Sequence, residues 1–246
     1  LKLIKCSFLK QKIDYLGQEI SAEGVKPGSR KVEAVLRMKR PKNSKEVRQF
    51  LGLSGYFRKL IQNYARLVEP LTRLTKKDAV WSWTDEQEAT IEKVKSILTT
   101  RPLLSIFYPT LTTELHTDAS ATGFGAILLH FKDDGARVVA YYSKQTTYEQ
   151  KRYHSYELEA LAVVMALKHF RVYLLGLHFK VITDCIPLRT TFSKKDLVPR
   201  VGRWWLEIQD YNFEVEYRPG VQMGHVDALS RNPVADVYTV RQADLT

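Results

Sequence analysis

The sequence predicts an α/β fold: a mixed five-stranded sheet with flanking helices, preceded by a small hairpin and a helical region. Two observations carry this. Residues 114–118, 123–131 and 136–143 read as three strands in succession, and Asp133-Asp134-Gly135 supplies hairpin turn chemistry between the last two. Beyond them the pattern alternates: a helix over 155–174, a strand over 179–184, a helix over 198–209, a strand over 213–217 and a short helix over 225–230. Antiparallel strands followed by strand–helix alternation give a mixed sheet covered by helices.

The elements follow in order. Residues 3–20 read as a hairpin with strands 3–8 and 13–20, and Gly24, Pro27 and Gly28 punctuate what comes next. Ser29 suits the N-cap of a short helix that carries Val32, Val35 and Leu36 on one side and ends by Pro41. Asn43 or Ser44 can cap a second helix, in which Val47, Phe50, Leu51, Ser54, Phe57 and Ile61 recur at helical spacing. Gly52 and Gly55 stand inside it. Each costs about 1 kcal/mol against Ala, so either the helix breaks there or another backbone approaches closely. Residues 78–112 form a bridge, where Thr84-Asp85-Glu86-Gln87 fits a capping box and Ile91, Val94 and Leu98 continue a helical stripe. Gly176 closes the helix over 155–174, and the residues from Asn232 read as an extended tail.

Composition narrows the function classes. A chain of 246 residues, 44% hydrophobic, can bury a core and should hold one or two domains. Cys6 and Cys185 are far apart, which argues for a reduced, intracellular protein without a disulfide framework. The longest mostly apolar run, 158–167, interrupted by Glu159, is too short to span a bilayer. Leu1 is not Met, so the expectation is a fragment or a product released from a longer polyprotein. The net charge is +11. Residues 1–77 hold 19 Lys/Arg and 6 Asp/Glu, giving +13, whereas residues 78–246 hold 19 and 21, giving −2. One basic block of this kind suits a polyanion partner such as nucleic acid, and a solubilising face accounts for it equally.

Four carboxylates stand where chemistry could use them. Asp118 ends the first strand of the α/β half, Glu157 lies in the first turn of the long helix, Asp184 ends the strand after it, and Asp227 lies in the last helix. At about 100° per residue, Glu157 shares a face with Ala160, Leu161 and Val164. That face is expected to pack on the sheet and aim Glu157 at its edge, leaving Glu159 to solvent or a flank. Converging carboxylates bind hard divalent cations, and two such ions can clamp the attacking and leaving oxygens of a phosphodiester. Taken singly, each residue is accounted for equally well as a cap or a partner for the helix dipole.

Several motifs then resemble one family. Thr117-Asp118-Ala119-Ser120 with Gly123, Gly125 and Ala126 resembles the opening strands of ribonuclease H in gypsy-type LTR retrotransposons. Residues 140–144, residues 156–164, Thr183-Asp184 and Asp227-Ala228-Leu229-Ser230-Arg231 resemble its later elements. The N-terminal half resembles the same polyproteins. Residues 5–8 and 15–21 are similar to the primer-grip hairpin at the end of a reverse-transcriptase palm, and residues 50–59 to the thumb helix that follows the duplex. Glu69-Pro70-Leu71-Thr72 and Trp83-Thr84 resemble the passage from thumb to connection.

The resemblance implies a domain order: palm end 1–22, basic thumb 23–77, connection 78–112, ribonuclease H domain 113–231 and tail 232–246. It implies endonucleolytic hydrolysis of the RNA strand of RNA/DNA hybrids by Asp118, Glu157, Asp184 and Asp227 holding two Mg²⁺, with Mn²⁺ as a substitute. The resemblance also offers His225 as an auxiliary group, with a surface His as the favoured alternative. Gly17, Gln18, Arg48, Gly52, Gly55, Tyr56, Arg58, Lys59, Ser120 and Ser143 are expected to contact nucleic acid, although Phe57 reads as core. The implied partners are RNA/DNA hybrid, template-primer duplex and the fingers and palm of the same polyprotein, with no membrane, inside cytoplasmic retroelement particles. Cys185 and Gln18 depart from the family, which often has His at both places. No YxDD-type motif occurs, so polymerisation by this chain alone is not expected. The alternative is a non-catalytic remnant that binds nucleic acid or stabilises a partner.

Overall fold

A computed structural model describes residues 9–100, 102–132, 135–191 and 198–219. The chain opens with a three-stranded antiparallel sheet of β1 (Lys12–Tyr15), β2 (Gln18–Ser21) and β3 (Gly24–Pro27). The stretch read as a single strand over 13–20 is two strands, because Leu16 (φ +48°) and Gly17 (φ +74°) both adopt left-handed backbone and turn the chain. Two consecutive positive φ values match the right-handed twist of a tight hairpin. The segment read as punctuation at Gly24 is β3 instead. It exchanges backbone hydrogen bonds with Leu104 (Val25 N–H to Leu104 O at 2.8 Å, Leu104 N–H to Val25 O at 2.9 Å). A Cβ on Gly24 would stand 2.1 Å from Leu104 O, so this pairing requires glycine. The expected strand over 3–8 lies outside the described residues.

Five helices follow. In α1 (Ser29–Leu36) the buried residues are Val32 and Val35, and Gly28 rather than Ser29 occupies its N-cap. In α2 (Ser44–Gly55), Asn43 caps as expected: its side chain accepts the Glu46 N–H at 3.0 Å. Val47, Phe50 and Ser54 form the buried stripe of α2. This helix stops at Gly55 and gives way to a 3₁₀ turn at Arg58–Leu60, so the helical spacing to Phe57 and Ile61 continues in a different element. Both side chains are buried all the same. Then come α3 (Tyr64–Leu67), α4 (Glu69–Arg73) and α5 (Asp85–Thr99), the last opened by the Thr84–Gln87 capping box.

The main sheet has the strand order β6-β5-β4-β7-β8, formed by β4 (Thr113–Ser120), β5 (Gly123–Lys132), β6 (Gly135–Gln145), β7 (His178–Thr183) and β8 (Asn212–Tyr217). The β6, β5 and β4 strands are antiparallel neighbours, and β4, β7 and β8 run parallel. The long helix α6 (Ser155–His169) and the short α7 (Arg171–Leu174) replace the single helix expected over 155–174. After β7 and before β8 come α8 (Ile186–Thr191) and α9 (Pro199–Glu207).

The sheet is covered on both faces. Leu115, Ala126, Leu128, Val139 and Ala140 share a core with Ala160, Val163, Val164 and Leu167 of α6. Ile127, Leu129, Val138 and Tyr141 share the other core with α1, α2, α4 and α5. This double burial explains why β5 reads as an unbroken apolar run rather than an alternation. The helical region is therefore a layer on the sheet, opposite α6.

Candidate active site

Asp118 is exposed near the C-terminal end of β4, and Asp184 directly follows β7. Because β4 and β7 are parallel neighbours, the two strands deliver their carboxylates to one edge of the sheet. The third carboxylate comes from α6, which packs on β4. It is Glu159. Its Oε1 accepts the Ala119 N–H at 3.2 Å, and its Oε2 is buried with no hydrogen-bond partner. Burial above all, and then the charges of Asp118 and Asp184, push Glu159 up to about 8. A carboxyl repelled by two others in a partly dry setting is the electrostatic mark of a convergent cluster.

Glu157, the residue expected here, is engaged elsewhere. Its Oε2 accepts the His154 N–H at 3.2 Å in a capping box, and its Oε1 is held at 2.8 Å by Arg200 of α9. The helical-wheel argument failed because α6 is enclosed on almost every side: Leu158, Ala160, Leu161, Ala162, Val163, Val164, Ala166 and Leu167 are all buried. One wall is the sheet and another is α9, so an apolar face does not say which wall it meets. The available signal was the second Glu one turn into the helix, in Glu157-Leu158-Glu159. Asp227 and His225 lie outside the described residues.

A cation from the helical layer reaches the cluster. Arg66 of α3 pairs with Asp118 (Nη1 to Oδ2, 3.1 Å) and donates to Gly123 O (2.9 Å). α3 is seated on β6, where the Ala65 N–H donates to Ser143 Oγ, and its N-cap Asn63 lies against β5. A Cβ on Gly125 would stand 2.6 Å from Asn63 Oδ1, and one on Gly123 would stand 2.8 Å from Lys144 O. Sequence reasoning passed over Arg66, which is remote from Asp118 along the chain and belongs to no motif.

Farther up β4, Glu114 and His116 form a buried network. Glu114 takes a bidentate pair of hydrogen bonds from Arg218 (2.8 and 2.9 Å) and contacts His116 Nε2 at 2.7 Å. Burial pushes Glu114 up, but the hydrogen bonds of His116 and Arg218 outweigh it and hold the carboxyl at about 2. Glu114 and His116, two apart and therefore on one face of β4, were the signal for this network. Cys185, beside Asp184, has its thiol raised by burial first, with Glu159 and Asp184 adding to it, so it is not an activated thiolate.

Among the residues expected at nucleic acid, several are engaged within the chain. Ser143 is buried, and its hydroxyl accepts the Ala65 N–H at 2.9 Å. Arg58 donates to Ser143 O, and Tyr56 donates to Leu16 O with Lys31 lying 3.3 Å over its ring. Packing of the helical layer thus takes up the buried Ser143 hydroxyl, while Arg58 stays exposed and Tyr56 half-buried beside their internal contacts. Ser120 bonds Thr122 and Gly123 O, and Lys59 is lowered by burial. Gln18 is half-buried in β2, and a Cβ on Gly17 would meet the Lys31 side chain. Arg48 and Gly52 are on the surface, with Arg48 donating to Thr75 O at 2.9 Å. Neither Gly52 nor Gly55 is crowded by another backbone: a Cβ would meet nothing within 4 Å at Gly52, and the Tyr64 hydroxyl at 3.6 Å at Gly55.

The carboxylates fit a divalent cation in kind. Glu159 Oε2 is a buried oxygen without a partner, and the mutual repulsion of the three groups is what a cation would relieve. Among the described residues, no three Asp, Glu, His or Cys side chains stand close enough to hold an ion as they are. Among them, too, no helix is long and apolar enough to cross a membrane.

A mixed sheet of this order, with acidic side chains at adjacent strand ends and on the crossing helix, defines a ribonuclease H-like domain. Residues 83–181 match the family described as the RNase H-like domain found in reverse transcriptase. The chain as a whole is homologous to transposon polyproteins. It is 40% identical over 232 residues to the transposon Tf2-3 and Tf2-4 polyproteins of Schizosaccharomyces pombe (strain 972 / ATCC 24843). The match takes in 92% of this chain and 17% of each polyprotein, so the chain spans a small part of those relatives. Its fold is similar to the foamy viral protease-reverse transcriptase solved with RNA/DNA hybrid (TM-score 0.71, 22% identity, 88% of this chain and 30% of that one). The same viral protein solved with dsDNA gives a TM-score of 0.70 at 21% identity, over 88% of this chain and 46% of that one. Residues 83–181 are thus similar to the RNase H-like domain found in reverse transcriptase, within a chain similar over 92% of its length to a small part of transposon polyproteins.

Proposed function

We propose that this chain cleaves the RNA strand of RNA/DNA hybrids endonucleolytically, as the ribonuclease H part of a retrotransposon reverse transcriptase. What supports this reading is a buried Glu159 oxygen without a partner, on a carboxyl that is held beside Ala119 and repelled by Asp118 and Asp184. Asp118, Glu159, Asp184 and, outside the described residues, Asp227 would hold two Mg²⁺ or Mn²⁺. Ions so held supply charge stabilisation for the phosphorane-like transition state and a more acidic water. The chain's own part is to orient the ligands. The Ala119 N–H fixes one oxygen of Glu159, and the parallel β4 and β7 fix the spacing of the two aspartates. The basic N-terminal block grips the duplex through its phosphates, with Arg48 and the open surface at Gly52 as contact points. The remaining polymerase parts of the polyprotein are the proposed partners, and the setting is an intracellular retroelement particle.

The test is cleavage of end-labelled RNA annealed to DNA, in Mg²⁺ and in EDTA. The expected result is cutting of the hybrid only, abolished by EDTA and by Asp118→Asn or Glu159→Gln, and retained in Glu157→Gln. A folded protein that binds hybrid but cuts nothing in Mg²⁺ or Mn²⁺ would leave the non-catalytic binding module as the function.

A further inference from the structure

We infer that Arg66 sets the cation affinity of the carboxylate cluster by competing for Asp118. This rests on the cluster being a cation site, as proposed above. The guanidinium does two things at once: Nη1 pairs with Asp118 Oδ2 at 3.1 Å, and Nη2 donates to Gly123 O at 2.9 Å. It therefore bridges the end of β4 and the facing start of β5, across the sheet edge where an ion would sit. Its charge also acts on Glu159, countering the repulsion from Asp118 and Asp184. In this arrangement Arg66 stands in part where a divalent cation would: it neutralises the same groups.

The arginine is built in rather than draped on the surface. Four features seat its backbone on the sheet. Asn63 adopts left-handed backbone (φ +50°) and starts α3. The Ala65 N–H donates to Ser143 Oγ at 2.9 Å, and Gln145 Nε2 donates to Ala65 O at 3.0 Å. Gly125 leaves room for the turn, since a Cβ there would press on Asn63 Oδ1, and the Arg66 side chain passes 3.6 Å from where a Cβ on Gly123 would stand. The result is an asymmetric pair: the Arg66 side chain is 28% exposed and that of Asp118 is 56% exposed. An ion can reach the carboxylate from solvent while the guanidinium stays held from behind. A fixed positive charge beside Asp118 opposes a divalent ion at the same oxygens, and the ion pair must loosen as the ion enters.

The experiment is a calorimetric titration of the full chain with Mn²⁺ and Mg²⁺, in the absence of nucleic acid. It compares wild type, Arg66→Gln, Arg66→Lys, Asp118→Asn and the Arg66→Gln/Asp118→Asn double variant, with circular dichroism to establish that each is folded. Arg66→Gln keeps a donor for Gly123 O while removing the charge, and is expected to bind Mn²⁺ about 3- to 10-fold tighter, the scale of a partly exposed ion pair plus a like-charge term. Arg66→Lys keeps the charge and should stay near wild type. In the Asp118→Asn background the gain from Arg66→Gln should disappear. Equal or weaker binding by Arg66→Gln than by wild type overturns the competition. A gain that persists without Asp118 also overturns it, because the effect then does not run through that carboxylate. No binding by any folded variant overturns the cation-site reading itself, and this proposal with it.

Discussion

Replacing Glu159 with Gln should stabilise the metal-free protein while removing its activity. In the fold the carboxyl is pushed from 4.5 to about 8, by burial first and then by Asp118 and Asp184. The folded state therefore binds a proton that the unfolded state has released between those two values, and stability contributed at this site falls as pH rises through the window. At pH 7 the group is protonated in the fold and ionised in the unfolded chain. The cost is at most about 1.36 kcal/mol for each of the roughly 2.5 units between 4.5 and 7, or about 3 kcal/mol. Partial solvent access reduces this to about 2 kcal/mol. Gln has no such cost, and it keeps an oxygen for the Ala119 N–H. In a chain of this length the gain corresponds to a rise of about 4–8 °C in melting temperature. The assay is thermal and urea unfolding in EDTA at pH 5, 7 and 9, with Glu157→Gln alongside. The Glu159→Gln gain should grow from pH 5 to 9. Glu157→Gln should instead lose about 1 kcal/mol, because it weakens the Arg200 pair and the helix cap. A Glu159→Gln variant that is no more stable than wild type at pH 9 would refute the convergence of the three carboxylates.

Other consequences are open to direct measurement. Glu114, held at about 2 by His116 and Arg218 despite its burial, contributes stability that is present above pH 4.5 and lost as pH falls toward 2. Removing its partner in Arg218→Met should cost about 3 kcal/mol at pH 7 in urea unfolding, the scale for an orphaned buried charge, and should flatten the acid limb of the stability curve. Gly125→Ala places a Cβ against Asn63 Oδ1, the end of a flexible side chain that can swing aside, so the loss in urea unfolding should stay below about 1 kcal/mol. Hybrid binding measured by fluorescence anisotropy should weaken steeply between 50 and 200 mM salt if the basic block grips phosphates, and a flat dependence would remove that role.

Local signals in the sequence were sufficient for much of this protein. Strand-length runs and turn chemistry mark out all five strands of the main sheet, β5 as an unbroken apolar run, because run length and turn residues are properties of a few neighbouring positions. Asn43 and the Thr84–Gln87 box cap their helices as read, since a cap is made within one turn. Asp118 and Asp184 sit at strand ends for the same reason. What the tertiary structure decided lies where one segment meets another. Glu159 rather than Glu157 turns to the aspartates because α6 is walled by both sheet and α9, and a helix buried nearly all round has no periodic mark for either wall. The Ser143 hydroxyl is taken up by the helical layer, and Arg66 reaches Asp118, through the seating of α3 on β6. That seating depends on contacts between residues far apart in the chain. Such pairings are set by which surfaces pack together, and neither partner's own neighbourhood carries a sign of the other.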